Sequence, residues 1–361
     1  MKKCGAKVLH LGRFGMINSL IRQVLNQYKK WKFIPATKNI LYHWVNRERK
    51  KSFGKNNPDK IFYVIRGINS NSRLYIGAVH NLMANYFYVI SHVMHAEKMG
   101  WIPVIDQLNY PVYNTVEEPI NGSKNAWEYY FVQPTEYTLE EVYQSKNVVL
   151  SKRSWFGEYD MGYNIENYYN EDVISYYSAI AEKLHLNLPT QQYVDAVRSR
   201  YFNENEKILG VAYRYGGHAV DCMVKGAGHP MQMAAAELVD LTEKQMHEWK
   251  MDKVFLASDE ETIVTLFQER FQDSLIVLPR TRRVAGKEAD RVRYNQLYGK
   301  SNIHETTLGY LTEMELLAGC DAFLGTVTSG VRYARIRNGL NYKYCKIIDN
   351  GLLPNPKKRE L

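Results

Sequence analysis

The chain has 361 residues, of which 45% are hydrophobic and 24% are charged, and this balance predicts a soluble, folded protein. Its length is sufficient for two ordinary α/β domains, each with its own core. The four cysteines are scattered without a CxxC pair, which argues against a zinc site and a disulfide scaffold. The N-terminus shows no signal peptide, and no apolar run approaches the roughly 18 residues of a membrane-spanning helix. We therefore expect a cytoplasmic protein.

The formal net charge of +9 is unevenly distributed, because residues 28–60 carry many lysines and arginines and few acids. We expect residues 1–57 to form a basic, aromatic N-terminal segment. One interpretation of this segment is a solvated face. Another is peripheral contact with anionic lipid or a phosphorylated acceptor, since basic clusters are attracted to such surfaces and the interleaved aromatic residues favour an interfacial helix. No helix-turn-helix, RNP-like or zinc-finger pattern supports binding to nucleic acid.

The N-terminal half begins with one predicted βαβ unit, formed by a strand at 61–65, a helix at 78–98 and a strand at 101–105. Gly100 ends the helix. From residue 109 to about 201 the chain is rich in Tyr, Asn and Glu, with shorter helical patterns at 139–144 and 173–184. We assign residues 58–200 to one N-terminal domain.

The C-terminal half alternates strands and helices more regularly. The predicted strands are 208–214, 253–257, 274–278, 321–325 and 344–348, and the predicted helices are about 230–250, 260–271, 307–318 and 329–338. Strands separated by such helices form a parallel, doubly wound sheet. The predicted fold is therefore α/β, with two Rossmann-like domains facing a cleft. Residues 201–350 form the second domain and residues 351–361 a tail, whereas the arginine-rich residues 279–300 are predicted to be a loop or a flexible arm.

Polar residues follow the carboxyl ends of the predicted strands, which is where ligands bind in open α/β sheets. Arg214 ends the strand at 208–214, and its planar guanidinium matches two phosphate oxygens at once. Two glycines and a loop that carries His218, Asp221 and Lys225 come next. The alternative interpretation is an ordinary surface arginine followed by a solvated loop.

Two further strand ends carry polar groups. Asp259 and Glu260 follow the strand at 253–257, where acids could accept hydrogen bonds from sugar hydroxyls or a base; Ser258 or Asp259 is also a good N-cap for the next helix. Thr328 and Ser329 precede the last helix, and free amides at a helix N-terminus favour an anion, although capping alone also explains these residues. Together the strand ends predict a nucleotide pocket. The chain has neither a P-loop nor a GxGxxG motif, which disfavours kinases and dehydrogenases.

The ordered motifs of the chain resemble the inverting fucosyltransferases of the α1,6 group and, more loosely, the protein O-fucosyltransferases. The matching stretches are LYIGAVHN at 74–81, NAWE at 125–128, GVAYRY at 210–215, GHP at 228–230, FLASDE at 255–260, and the helix and turn from Glu313 to Ser329. They occur in the family's order between about residues 70 and 335. The resemblance implies a GT-B fold, a nucleotide sugar held by the C-terminal domain, an acceptor on the N-terminal domain and no metal requirement.

The resemblance also implies roles for individual residues. Arg214 would hold the diphosphate, Thr328 and Ser329 would add donors, Tyr75 would reach the β-phosphate from the other domain, and Lys225 would assist. Glu313 is at the position of the family's guanine-binding acid, while Asp259 and Glu260 would support the donor pocket. The family's second arginine and its purine-contacting histidine are replaced by Tyr215 and Ala212, so another nucleotide sugar is an alternative donor.

An inverting transfer needs a base for the acceptor hydroxyl and positive groups for the departing diphosphate. Asp221 is the first candidate for the base, because the family's loop carries its essential acid near this position, and His218 is the second. The predicted function is transfer of fucose from GDP-fucose, with no other cofactor, to an oligosaccharide or lipid-linked glycan in surface-polysaccharide or glycoconjugate synthesis. The alternatives are a non-catalytic, glycan-binding homologue and, more distantly, a sulfotransferase.

Two other patterns have simpler interpretations. His92 and His95 have a spacing that suits a metal ion, but no third ligand is evident, and a packing role is expected. The tyrosines between residues 159 and 177 could stack on acceptor sugars, although half-buried packing is the commoner role of such residues.

Overall fold

The computed structural model describes residues 46–68, 81–162, 164–214, 230–284, 299 and 302–352. Its strands form two sheets, one of four strands from the N-terminal half and one of five strands from the C-terminal half. None of the helices in this part of the chain is both long and apolar enough to span a bilayer.

The first sheet has the strand order β1-β4-β2-β3. Its strands are β1 (Arg49–Lys51), β2 (Phe62–Arg66), β3 (Ile102–Asp106) and β4 (Val148–Leu150). β2 pairs in parallel with β3 and β4, and β1 pairs antiparallel with β4. Every residue of β2 is buried, as expected for an apolar strand at the centre of a covered sheet.

Among the described residues, the N-terminal half has four α-helices. They are α1 (Leu82–Lys98), α2 (Leu139–Val142), α3 (Glu171–Glu182) and α4 (Leu188–Tyr201). The Asn81 side chain caps α1 by accepting a hydrogen bond from the Ala84 amide at 2.9 Å. The predicted βαβ unit is confirmed, with α1 packed against β2 and β3.

The second sheet has the order β7-β6-β5-β8-β9, and each of its described pairs is parallel. Its strands are β5 (Ile208–Tyr213), β6 (Lys253–Ser258), β7 (Leu275–Ile276), β8 (Ala322–Thr326) and β9 (Tyr344–Ile348). Its helices are α5 (Ala235–Trp249), α6 (Glu261–Phe271), α7 (Ile303–Ala318) and α8 (Ser329–Asn338). The predicted alternation of parallel strands and helices is therefore confirmed.

Two predicted features of the helix starts were wrong. α5 begins at Ala235 rather than near residue 230, because Pro230 pairs with Leu352 and the Met231 amide donates to the Gly351 carbonyl. α6 has its N-cap at Glu260, not at Ser258 or Asp259. The Ser258 hydroxyl instead accepts a hydrogen bond from the Glu260 amide at 3.1 Å.

Helix packing joins the two halves. α8 packs against α1 and α3, and α7 packs against α4. The Tyr86 and Tyr333 rings meet edge to face at 4.9 Å, and the Arg332 guanidinium lies 4.4 Å from the centre of the Phe87 ring. Because these contacts are buried, they hold the beginning of α1 near the carboxyl ends of the second sheet's strands.

Candidate functional site

A cavity of about 290 Å³ opens at the carboxyl ends of β5, β6 and β8. Asn81 and Tyr113 line it from the N-terminal half. The C-terminal half contributes Ala212, Tyr213, Arg214, Ala257, Ser258, Asp259, Arg280, Arg283, Thr306, Thr307, Tyr310, Glu313, Met314, Thr328, Ser329, Gly330 and Val331. The strand ends singled out in the sequence thus meet at one cavity, since parallel strands end at the same edge of a sheet.

Arg214 follows β5 directly, and its side chain is exposed at the cavity. No hydrogen bond or ion pair joins its guanidinium to another described residue. The preceding residue, Tyr213, is buried, and its phenol has a pKa raised first by burial and then by the negative charges of Glu260 and Asp259. Arg214 is consequently the group at this strand end that can meet an anion.

The N-terminus of α8 forms the facing wall. Thr328 is its N-cap, and the Thr328 hydroxyl accepts a hydrogen bond from the Val331 amide at 3.2 Å. Ser329 and Gly330 follow in the first helical turn, where amides lack intrahelical partners and the helix dipole favours a negative ligand. A Cβ at Gly330 would lie 2.7 Å from both the Met314 sulfur and the Tyr310 hydroxyl oxygen, so glycine permits this close approach of α8 to α7.

The acids after β6 have different positions relative to the cavity. Asp259 is part of its lining, whereas Glu260 is not. The Asp259 carbonyl accepts a hydrogen bond from the Arg283 amide at 2.8 Å. Asp259 and Glu260 are both half-buried. These contacts connect the end of β6 to the chain that follows β7.

Glu313 is only 1% exposed, lines the cavity and forms a buried ion pair. The Arg280 Nε donates to its Oε1 at 2.7 Å, and the Arg282 Nη2 lies 3.7 Å from the same oxygen. Burial raises the pKa of the Glu313 carboxyl, and the charges of Arg280 and Arg282 oppose this rise. Both guanidiniums also donate to the Ser258 carbonyl, at 3.0 and 3.1 Å.

The ion pair between Arg280 and Glu313 bears on the prediction that residues 279–300 are a loop or a flexible arm. The described residues 279–284 form neither helix nor strand, as predicted for a loop, but their arginines anchor them to β6 and α7. They are therefore not a free arm. Sequence reasoning missed Arg280 and Arg283 as cavity residues, although the run of arginines after a strand was a usable signal.

The predicted loop residues His218, Asp221 and Lys225 lie outside the described residues, and so do Tyr75 and Tyr215. Their assigned roles remain predictions. Of the predicted site residues, Arg214, Asp259, Glu313, Thr328 and Ser329 are brought together at the cavity.

A contact between the halves lies beside the cavity. The Tyr130 ring stacks on the His304 ring at 5.3 Å, and the Tyr130 hydroxyl lies 3.0 Å from His304 Nδ1. Burial lowers the pKa of His304. This pair connects the first turn of α7 to the N-terminal half, close to Thr306 and Thr307 in the cavity wall.

The histidines with metal-like spacing have packing partners. His92 Nδ1 lies 2.9 Å from the Tyr63 hydroxyl and its Nε2 lies 3.2 Å from the Ser154 carbonyl, while the His95 ring stacks on Phe156 at 4.2 Å. Within the part of the chain that the structure describes, no group of three or more His, Cys, Asp or Glu side chains could hold a metal ion.

The tyrosines between residues 159 and 177 differ in how deeply they are buried. Tyr168 and Tyr177 belong to the core, whereas Tyr169 and Tyr176 are 48% and 52% exposed. The packing interpretation therefore holds for the first pair.

The arrangement suits a ligand with a strongly anionic centre. Arg214, which has no described partner, the capped N-terminus of α8 and further arginines line one cavity, and the Glu313 carboxylate in this lining is paired with Arg280. Guanidinium groups and helix N-termini both bind phosphate oxygens. The lining therefore offers positive charge and helix amides to an anionic group such as a phosphate.

No protein-family model and no curated protein matches the sequence. The solved structures that resemble the chain include a NodZ α-1,6-fucosyltransferase soaked with GDP-fucose, with 16% identity, coverage of 77% of this chain and 92% of that chain, and a TM-score of 0.44. NodZ from Bradyrhizobium is 15% identical and has a TM-score of 0.44; the match covers 82% of this chain and 97% of that chain. POFUT1 in complex with GDP-fucose has 12% identity, coverage of 81% and 75%, and a TM-score of 0.34. These proteins belong to the groups that the sequence motifs resemble.

Proposed function

We propose that the protein is an inverting glycosyltransferase that binds a nucleotide sugar in the cavity between the ends of β5, β6 and β8. The observation that carries this proposal is the convergence of Arg214 and the N-terminus of α8 on one cavity. A diphosphate needs several donors and compensating positive charge, and these elements supply both. The two sheets would then belong to two Rossmann-like domains of GT-B type, with the donor on the second.

The donor in this proposal is GDP-fucose, and the motif resemblance supports this choice. Arg214 binds the diphosphate, while Ser329 and Thr328 provide donors at the start of α8, and Tyr75 and Lys225 complete the phosphate contacts. Glu313 faces the base, with Asp259 and Glu260 supporting the pocket. Because arginines and backbone amides stabilise the leaving diphosphate, the reaction needs no metal ion.

The transfer step is assigned to residues that follow Arg214 in the sequence. The acceptor hydroxyl attacks the anomeric carbon on the face opposite the diphosphate, so the C–O bond to phosphate breaks as the new glycosidic bond forms. Asp221 accepts the hydroxyl proton, and His218 is the alternative base. Arg214 stabilises the negative charge that develops on the departing nucleoside diphosphate.

The acceptor is an oligosaccharide or a lipid-linked glycan on the N-terminal half, in surface-polysaccharide or glycoconjugate synthesis. Asn81 and Tyr113 are the described residues of that half that line the cavity. The enzyme acts in the cytoplasm, where its basic segment touches the membrane peripherally.

The function is tested by incubating the full chain with GDP-fucose and a panel of glycan acceptors. We expect release of GDP and a product with inverted anomeric configuration by NMR. Asp221→Asn should lower kcat by about 100- to 10,000-fold, the usual contribution of a general base, while the affinity for GDP stays within a few-fold. A product with retained configuration, or an Asp221→Asn variant with unchanged kcat, would contradict the proposed mechanism.

Two observations favour a second class of donor. The Glu313 carboxylate already accepts a hydrogen bond from Arg280, and the family's histidine position is Ala212. Another nucleotide sugar would therefore also fit the same fold and phosphate site. Replacing GDP-fucose with UDP-, CMP- or dTDP-sugars in the same assay shows which class of nucleotide sugar the enzyme uses.

Membrane contact is proposed for the basic segment, residues 28–60. Its described part includes Lys50, Lys51 and Lys55, whose side chains are exposed on and beside edge strand β1. Each lysine near an anionic surface contributes about 1 kcal/mol, so Lys50→Gln with Lys51→Gln should weaken binding to phosphatidylserine vesicles by about 30-fold.

The matched control for this prediction is the double change Lys244→Gln and Lys343→Gln, at exposed lysines of the C-terminal half. It should leave vesicle binding unchanged, and high salt should abolish the binding of the wild type. Equal losses in both double variants, or binding to neutral phosphatidylcholine vesicles alone, would overturn the membrane contact.

A further inference from the structure

Tyr130 joins the two halves of the molecule beside the cavity. Its ring is fully buried and stacks on the His304 ring, with 5.3 Å between the ring centres and an angle of 11° between the planes. The Tyr130 hydroxyl lies 3.0 Å from His304 Nδ1 and donates to the His304 carbonyl at 3.3 Å. A residue of the N-terminal half thus contacts both the side chain and the backbone in the first turn of α7.

The Tyr130 phenol also faces one side chain from each of two cavity walls. Burial raises the pKa of this phenol, and the nearby side chains of Thr307 and Asn114 oppose the rise. Thr307 lines the cavity from α7, while Tyr113, the neighbour of Asn114 in the chain, lines it from the N-terminal half. The two walls therefore approach each other at one hydroxyl group.

The beginning of α7 depends on such outside contacts. Among the described residues, no side-chain hydrogen bond caps α7, whereas α1 and α8 each have one. Because the first amides of a helix lack intrahelical partners, the surroundings of an uncapped first turn contribute more to holding it in place. Thr306, Thr307 and Tyr310 lie in this part of α7 and line the cavity. Their position relative to the N-terminal half therefore depends on the contact with Tyr130.

The contact lies between the elements assigned to the two substrates. In the proposed reaction the donor is held by Arg214 and α8 of the C-terminal half, and the acceptor is held by the N-terminal half. Transfer requires reacting atoms about 3–3.5 Å apart, and a misplacement of about 1 Å can lower the rate by about 100-fold. A contact that fixes α7 against the N-terminal half should thus affect the alignment of the two substrates more than the binding of the diphosphate.

We propose that Tyr130 and His304 are positioning residues of the transfer step, which hold the α7 wall of the cavity in place against the acceptor half. This inference rests on the proposed function. Neither residue is part of the described cavity lining, so both act through Thr306, Thr307 and the neighbouring wall rather than on the substrate itself.

Tyr130→Phe is the most specific test, because it removes the hydroxyl and keeps the stacked ring. In the assay with GDP-fucose and a glycan acceptor, kcat/KM for the acceptor should fall by about 10- to 100-fold. The Kd for GDP, measured by isothermal titration calorimetry on the full chain, should remain at the wild-type value. A general loss of structure would instead weaken GDP binding as well.

Variants of His304 test whether the two residues act through one contact. His304→Ala should lower kcat/KM as Tyr130→Phe does, and the double variant should lose no more than either single variant. His304→Asn should recover part of the activity, since its amide keeps a polar group near the position of Nδ1.

Tyr177→Phe is the matched control. Tyr177 is also a buried tyrosine of the N-terminal half, and its hydroxyl donates to the Tyr159 carbonyl of the same half at 2.8 Å. This variant should retain the wild-type kcat/KM. An unchanged kcat/KM in Tyr130→Phe, a loss of GDP affinity equal to its loss of activity, or additive losses in the double variant would overturn the inference. A wild-type protein that neither binds GDP nor transfers fucose would overturn the proposed function itself, and this inference with it.

Discussion

Replacing Arg214 with alanine is expected to lower kcat/KM for the nucleotide sugar by about 100- to 1,000-fold, the usual effect of removing one preorganised donor to a developing negative charge. Arg214 lines the cavity at the end of β5, and its guanidinium has no partner among the described residues. Its donors are thus available to the leaving diphosphate, where they stabilise the transition state more than the ground state. The measurement is the initial rate of nucleoside diphosphate release.

The control for this variant is Arg270→Ala, which removes an arginine from the surface of the same half. It should retain wild-type kcat/KM. The Arg214→Ala protein should also unfold at the wild-type temperature without ligand, because the exposed side chain makes no described contact. A variant with full activity would show that the diphosphate is not bound at this strand end.

The second large effect concerns stability. Glu313→Ala is expected to lower the free energy of unfolding by about 3–5 kcal/mol, the usual cost of removing one partner of a buried ion pair. The Glu313 and Arg282 side chains are 1% and 5% exposed, so the change leaves buried guanidinium groups without this carboxylate. Urea unfolding followed by circular dichroism measures the difference.

Glu305→Ala is the control on the same helix, because Glu305 is an exposed acid in the first turn of α7. Its effect should be below about 1 kcal/mol, as for an exposed charge near a helix N-terminus. If Glu313→Ala destabilises the protein no more than Glu305→Ala does, the ion pair does not anchor residues 280–282 to α7.

The parts of the fold that the sequence predicted are those with strong local signals. β5 is a continuous apolar run, and α1 has a long apolar pattern with Gly100 after it. Such signals depend on neighbouring residues and can be recognised without tertiary context. The parallel pairing then followed from the alternation of strands and helices.

The elements that the sequence did not predict depend on distant partners. β1 has the sequence RKK, and it is a strand only because it pairs with β4, almost a hundred residues later in the chain. Lysines are typical of protected edge strands and give no strand signal of their own. α4 carries few apolar residues, and the contact of Arg198 Nη2 with the Glu315 carbonyl at 3.1 Å ties it to α7.

Some residues of the candidate site could likewise be predicted from local sequence signals, whereas others depend on distant partners. Arg214, Asp259, Thr328 and Ser329 could be predicted to meet because each follows a strand of one parallel sheet. The Arg280–Glu313 ion pair could not, since it joins a loop to a helix 33 residues away, and Glu313 entered the prediction only through the family resemblance. Tyr113 reaches the cavity from the other half of the molecule, and no local pattern indicates that contact.

The most direct measurement is a thermal-shift screen of the purified protein and its Arg214→Ala variant against GDP, UDP, CMP and dTDP. A ligand at 100 times its Kd stabilises a protein by about 2.7 kcal/mol, which gives a clear rise in the unfolding temperature. The proposal predicts a rise with GDP for the wild type and its loss in the variant. A wild-type protein whose unfolding temperature is unchanged by all four nucleotides would contradict the assignment of this cavity to a nucleotide sugar.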